Sequence, residues 1–186
     1  MARTHAAGTI GGFMLLAACH PAPAPGPAPQ ARQTQAVAAP AVAVDGEGLR
    51  LIDRSNGRTR PIPFGTDRAT MLAALAFLGT PDTGTNAECG AGPLDWATFR
   101  DGLTLQFQAT RFVGWSARRG GGAVTTMAGI GPGSTRAALE SAYAITLPES
   151  TLGVEFAAGE LGGVLDGPGR AARIAEMWAG TTCLFR

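Results

Sequence analysis

Three short blocks of this chain recur downstream in the same order, and that self-similarity constrains the architecture more than any other feature. Ile62-Pro63-Phe64-Gly65-Thr66-Asp67-Arg68-Ala69 aligns with Ile130-Gly131-Pro132-Gly133-Ser134-Thr135-Arg136-Ala137, 68 positions later. Residues 103–114 align with 152–163 at an offset of 49, and Val124-Thr125-Thr126-Met127 with Ile174-Ala175-Glu176-Met177. Thr66 and Ser134 each follow a glycine and read as helix N-caps. Met71, Leu75 and Leu78 then recur at helical spacing, as do Leu139, Ala142 and Tyr143. The later blocks alternate: Leu103, Leu105 and Phe107 share one face, and so do Leu152, Val154 and Phe156. Ala109-Thr110 and Ala158-Gly159 sit at the turn positions ahead of 112–115 and 161–164. A leading hairpin is expected over 48–53, with a turn at Ser55-Asn56-Gly57. The pattern predicts an α+β fold of two tandem copies, about 48–128 and 129–186. Each copy is a helix plus an antiparallel meander, the helices packed on antiparallel sheet. Copy one carries an insertion of about twenty residues at 79–100.

The N-terminus reads as an address. Arg3 and His5 precede an apolar stretch over 6–18, thirteen residues long and too short to cross a bilayer as a helix. Leu16-Ala17-Ala18-Cys19 is similar to a bacterial lipobox, which makes 1–18 a lipoprotein signal peptide and Cys19 the lipidated first residue of the mature chain. Acyl chains on one residue contribute about 0.8 kcal/mol per buried CH₂, so they hold a soluble domain on a bilayer without a spanning helix. Residues 19–44 hold six of the thirteen prolines, one charge (Arg32) and no aromatic side chain. They have nothing with which to form a core and read as an extended tether. The globular part is then 45–186. His20 follows the anchor where an inner-membrane retention signal would place Asp. By similarity to diderm lipoproteins, this favours the outer membrane, with the domain facing the periplasm.

The capped-helix phrases and the colinear blocks resemble tandem versions of the β-lactamase-inhibitor-protein fold. They also resemble its single-copy relative, the small accessory lipoprotein of the outer-membrane barrel-assembly machine. The chain is similar as well to a group of proteobacterial envelope lipoproteins. That likeness is carried by Glu88-Cys89-Gly90-Ala91-Gly92-Pro93-Leu94-Asp95, Phe112-Val113-Gly114-Trp115 and Gly129-Ile130-Gly131, within residues 48–185. The resemblance implies helices opened by these phrases and packed on an antiparallel sheet.

The residue inventory narrows the chemistry. All fifteen basic residues are arginine, which removes Schiff-base lysines and P-loop phosphate binding. Fifteen basic against fourteen acidic residues gives a formal +1, no footprint for nucleic acid. Both histidines, His5 and His20, precede the domain, so no metal site and no cofactor is expected. Gly167-Pro168-Gly169-Arg170-Ala171-Ala172 fits a dinucleotide fingerprint, but too little chain follows for the helix, strand and acidic residue the motif needs. With Cys19 lipidated, Cys89 and Cys183 remain, and a disulfide is expected in an oxidising compartment. The rival, Cys89 as a nucleophile, lacks a histidine partner in the domain. Of three tryptophans, two are expected in the core, with Trp96 or Trp178 as the exposed candidate on a binding surface. No catalytic residue is assigned. The leading expectation is a non-catalytic lipoprotein, bound to the bilayer through Cys19 and to an unknown envelope protein. The alternatives are a binder of cell-wall glycan or small ligand, and a hydrolase working with carboxylates alone.

Overall fold

The computed structural model describes residues 38–120 and 124–183. Those residues are mostly β, with 43% in strands and 12% in helices. β1 (Ala41–Asp45), β2 (Gly48–Ile52) and β3 (Thr59–Pro63) make a three-stranded antiparallel sheet in sequence order. After α1 (Arg68–Ala74) and a 3-10 turn come β4 (Asp82–Asn86), β5 (Leu94–Thr98), β6 (Leu103–Gln108) and β7 (Arg111–Arg118). After α2 (Arg136–Ala142) come β8 (Val154–Ala158), β9 (Leu161–Leu165) and β10 (Ile174–Gly180). These seven strands form one antiparallel sheet in the order β4-β5-β6-β7-β10-β9-β8.

The expected α+β fold of two helix-plus-meander copies is thereby corrected. Each helix has seven residues, and α1 buries only Met71 within its length, α2 only Leu139. Two turns of helix cannot cover a seven-stranded sheet. The three-stranded sheet supplies much of the opposing layer: Val44, Leu49, Leu51 and Ile62 share one core with Leu103, Leu105, Phe107, Phe112 and Trp115. Helical spacing over-reached because α2 ends at Ala142. Tyr143 is already extended, and Thr146 exchanges two backbone hydrogen bonds with Ala157 of β8. The insertion at 79–100 folds as well, supplying β4 and β5. Val124–Met127 does not parallel 174–177: the former lies in a loop, where Thr125 O accepts the Val44 N–H, and the latter lies in β10. β1 begins at Ala41, inside the stretch read as tether. Cys19 and the signal segment lie outside the described residues.

One block of the repeat does coincide with equivalent geometry. Gly65 N–H donates to Phe112 O, Arg68 N–H to Thr110 O, and Phe112 N–H to Thr66 O. Gly133, Arg136 and Ile174 N–H donate to Ile174, Ala172 and Ser134 O in the same arrangement. Both helix entrances are thus stitched to the starts of the adjacent central strands β7 and β10. The caps fall one residue later than expected. The Asp67 carboxylate accepts from Ala69 and Thr70 N–H, and the Thr135 hydroxyl accepts from Ala138 N–H.

Strand patterning was legible where one face is core. In β6, Leu103, Leu105 and Phe107 are fully buried, with half-buried Thr104, Gln106 and Gln108 between them. The β6–β7 turn holds Ala109 and Thr110 at φ of 46° and 65°, left-handed values that a β-branched residue rarely adopts. The Arg68 N–H on Thr110 O keeps that turn in place. Trp115 is fully buried and donates its indole N–H to Asp45 O at 2.8 Å, tying β7 to the end of β1. Trp115→Phe keeps most of the apolar volume and removes the buried indole donor to that carbonyl. We expect a loss of about 1–3 kcal/mol, read as a lowered urea midpoint at unchanged slope.

Candidate functional site: the outer face of the seven-stranded sheet

The register places two rows of side chains on the face turned away from the core. One row runs Gly84, Trp96, Gln106, Gly114 across β4 to β7. The next runs Thr98, Thr104, Ser116, Trp178, Gly162 across β5, β6, β7, β10 and β9. Core-facing Ala97, Leu105, Trp115 and Ala179 alternate with them. Both candidate tryptophans therefore share the outer face, and Trp115 alone of the three joins the main core.

Each outer-face indole lies against a glycine on the neighbouring strand. A Cβ placed on Gly84 would sit 2.5 Å from Trp96 Cζ2, and one on Gly162 would sit 2.5 Å from Trp178 Nε1. The glycines let both rings lie down on the backbone instead of standing off it. The outcome differs between the two. Trp178 is 7% exposed and so offers little surface to a ligand, whereas Trp96 stays half-buried at the margin of a polar groove. Of the pair assigned to a binding surface, Trp96 is the one the geometry leaves accessible.

That groove encloses about 310 Å³ between Thr98, Thr104, Gln106, Ser116, Arg118 and Glu176. The Thr98 and Thr104 hydroxyls share a hydrogen bond of 2.9 Å, and Arg118 pairs with Glu176 at 3.0 Å. Thr182 and Cys183 form its remaining wall. The chain leaves β10 at Gly180 (φ 71°) and lies directly on Gly114, where a Cβ would meet Thr181 O at 2.1 Å. Thr181 N–H donates to Val113 O. The 181–183 segment is thus a strap along one side of the groove. Sequence reasoning had no signal for this wall, because it depends on Gly114 admitting a second backbone.

The strap ends where the expected disulfide partners meet. Cys89, in the β4–β5 loop, is buried and lies beside Cys183. Asn86 Nδ2 also donates to Cys183 Sγ at 3.3 Å. The structure brings the two thiols together and leaves them unjoined. Hydrogen bonding with Cys89 pushes the Cys183 thiol up to about 11, aided by burial and by electrostatic interaction with the same residue, while a backbone contact at Gly90 opposes it. Elsewhere, the Ser55 hydroxyl and N–H hold the Asp53 carboxyl below its ordinary range. The Arg173 N–H and the Arg119 guanidinium do the same for Asp166. Asp53 and Ser55 help line a second hollow of about 360 Å³ near Ala38 and Pro40, where the chain enters β1.

Among the described residues, no group of three or more His, Cys, Asp or Glu side chains is placed to hold a metal ion. No helix among them is long and apolar enough to cross a membrane. Comparison with protein families, curated proteins and solved structures finds no match.

The raised Cys183 thiol has a consequence in the reduced protein. A folded-state value above the ordinary 9.0 means that this thiol's contribution to stability is whole below about 9 and is lost as pH rises through about 11. Denaturant titrations of reduced chain across pH 8–11 should show that decline, and replacing Cys89 by Ser should weaken it.

Proposed function

We propose that this chain is a non-catalytic lipoprotein of the cell envelope that holds a protein partner in the groove on its outer sheet face. The supporting observation is the groove itself. Two threonine hydroxyls, a serine hydroxyl, the Gln106 amide and a paired Arg118–Glu176 converge on one concavity. Such a surface suits the backbone amides of an extended segment, which need donors and acceptors in alternation. The proposed anchor is Cys19 in the outer membrane of the envelope, with 20–40 as spacer. On this reading the domain works in the periplasm, and the Cys89 and Cys183 thiols close to a disulfide. Two protons and two electrons pass to a disulfide-bearing oxidant, which leaves as two thiols.

A second reading, cell-wall glycan, has one observation of its own: Trp96 beside Gln106, an indole laid along the sheet at the groove margin. Aromatic faces and hydroxyl-rich surroundings together suit sugar rings.

A photoreactive side chain at Gln106 tests the leading reading. In native envelope it should give an adduct of discrete mass that the same probe at Arg54, in the exposed β2–β3 turn, does not give. Thr104→Arg, which fills the groove, should reduce that adduct at least about tenfold, the effect of blocking one well-packed contact. Equal labelling at both positions defeats the proposal. A change in Trp96 fluorescence with peptidoglycan fragments, without the protein adduct, selects the glycan instead. The disulfide has a separate check. Protein isolated under oxidising conditions should be lighter by two hydrogens than after reduction. Closing a loop between positions 94 residues apart should stabilise it by at most about 4–5 kcal/mol.

A further inference from the structure

The two sheets have four edges, and three of them are visibly closed. β3 carries Pro61 and Pro63, which cannot donate to a further strand. β1 gives the Val44 N–H to Thr125 O, and β8 exchanges both Ala157 bonds with Thr146. β4 has none of these devices. Its sequence is Asp82-Thr83-Gly84-Thr85-Asn86, with no proline and no basic residue. Among the described residues, its backbone is bonded to β5 alone. Asp82, Thr83 and Thr85 are exposed. The strand is also held in shape: the Thr85 hydroxyl donates to Asp95 Oδ1 at 2.6 Å, and Arg68 holds the other oxygen of that carboxylate at 3.0 Å.

We propose that β4 pairs antiparallel with β4 of a second copy of this chain, about a two-fold axis at Gly84, joining two seven-stranded sheets into one. The strand reads nearly the same in both directions, which is what an isologous edge requires. In that register Thr83 faces Thr85 of the partner subunit at both symmetric positions. Asp82 faces Asn86 of the partner subunit, and Gly84 faces its own equivalent. Threonine pairs are favourable cross-strand neighbours, and no like charges meet. Another protein's strand would gain nothing from the near-palindrome, which selects the second copy as occupant. Trp96 lies over Gly84, so the axis brings the two indoles together on the outer face and makes the two grooves parts of one surface.

The test uses the full chain carrying Cys19→Ser, which removes the acylation site alone. Sedimentation equilibrium should show a reversible dimer, and far-ultraviolet circular dichroism an indole exciton couplet that grows with dimer fraction. Thr83→Lys with Thr85→Lys sets two like-charged pairs across the axis and should raise the dissociation constant about tenfold or more. Thr83→Glu with Thr85→Lys sets opposite charges at the same places, keeps a cation opposite Asp95 as in the first variant, and should restore association. Unchanged melting of both double variants shows that each is folded. A chain that is monomeric at every concentration overturns the proposal. So does a dimer indifferent to the lysines, or one lost equally in both variants. Groove labelling at Gln106 is read on the monomeric variant, so failure of the partner reading and failure of this one are separable.

Discussion

β7 and β10 pair at the middle of the seven-stranded sheet, and the other elements take their positions from that pair. Each begins where a helix entrance is bonded to it, Thr66 with Phe112 and Ser134 with Ile174. On the inner side, Trp115 and Ala179 stand opposite one another, and the Trp115 indole reaches Asp45 to bring in the three-stranded sheet. On the outer side, the neighbouring Gly114 and Gly180 lack side chains, which lets the chain turn back as the strap. One antiparallel pairing therefore fixes the main core and one groove wall together. The two strands come from distant parts of the sequence, so the sheet closes only after both halves of the chain are present.

Glycine has a second use on the outer face. Gly84 and Gly162 sit on strands flanking those that carry Trp96 and Trp178, and each indole fills the space that its glycine leaves. In isolation a strand glycine weakens a sheet, because it brings backbone freedom and no side chain to pack. Covering it with the neighbour's ring offsets part of that cost. The same arrangement flattens the face, leaving short hydroxyl side chains between the rings as the relief from which a groove is made. A bulkier residue at either glycine would raise its ring by a large fraction of an ångström or more and change the groove's rim.

Much of the strand content was legible because it is written as alternation. Leu103, Leu105 and Phe107 lie on the inner face, and the Ala109-Thr110 and Ser55–Gly57 turns fall where expected. The error in fold class has a specific origin. Met71, Leu75 and Leu139 are buried at helical spacing, but helix length is set by the residues beyond the last turn: Gly79 and Pro81 after α1, and Ile145-Thr146 drawn into pairing after α2. The β4 part of the 79–100 segment gave no alternating apolar signal, since Asp82-Thr83-Gly84-Thr85-Asn86 is polar throughout and its strand character comes from its partner. A Cys89–Cys183 disulfide was the expectation by elimination; the structure sets the two thiols near one another without joining them. The groove was not readable, because its residues come from β5, β6, β7, β10 and the strap, which converge only through the register.

An exposed five-residue strand edge is weak as an interface in free solution, where association must overcome the loss of translational freedom. A membrane-held chain faces a different balance. With the proposed Cys19 anchor and its Pro/Ala spacer, copies diffuse in a shallow layer above one surface, and their effective concentration rises without any new contact. Polar Thr-Gly-Thr chemistry fits those circumstances better than an apolar edge would. An apolar edge recruits any unfolded strand, whereas a hydroxyl-lined one favours, on the proposed pairing, a second copy that presents the matching register. On the proposed reading, the near-palindrome at 82–86 and the Cys19 anchor act together: the edge alone supports a reversible dimer in solution, and confinement at a bilayer raises the dimer fraction.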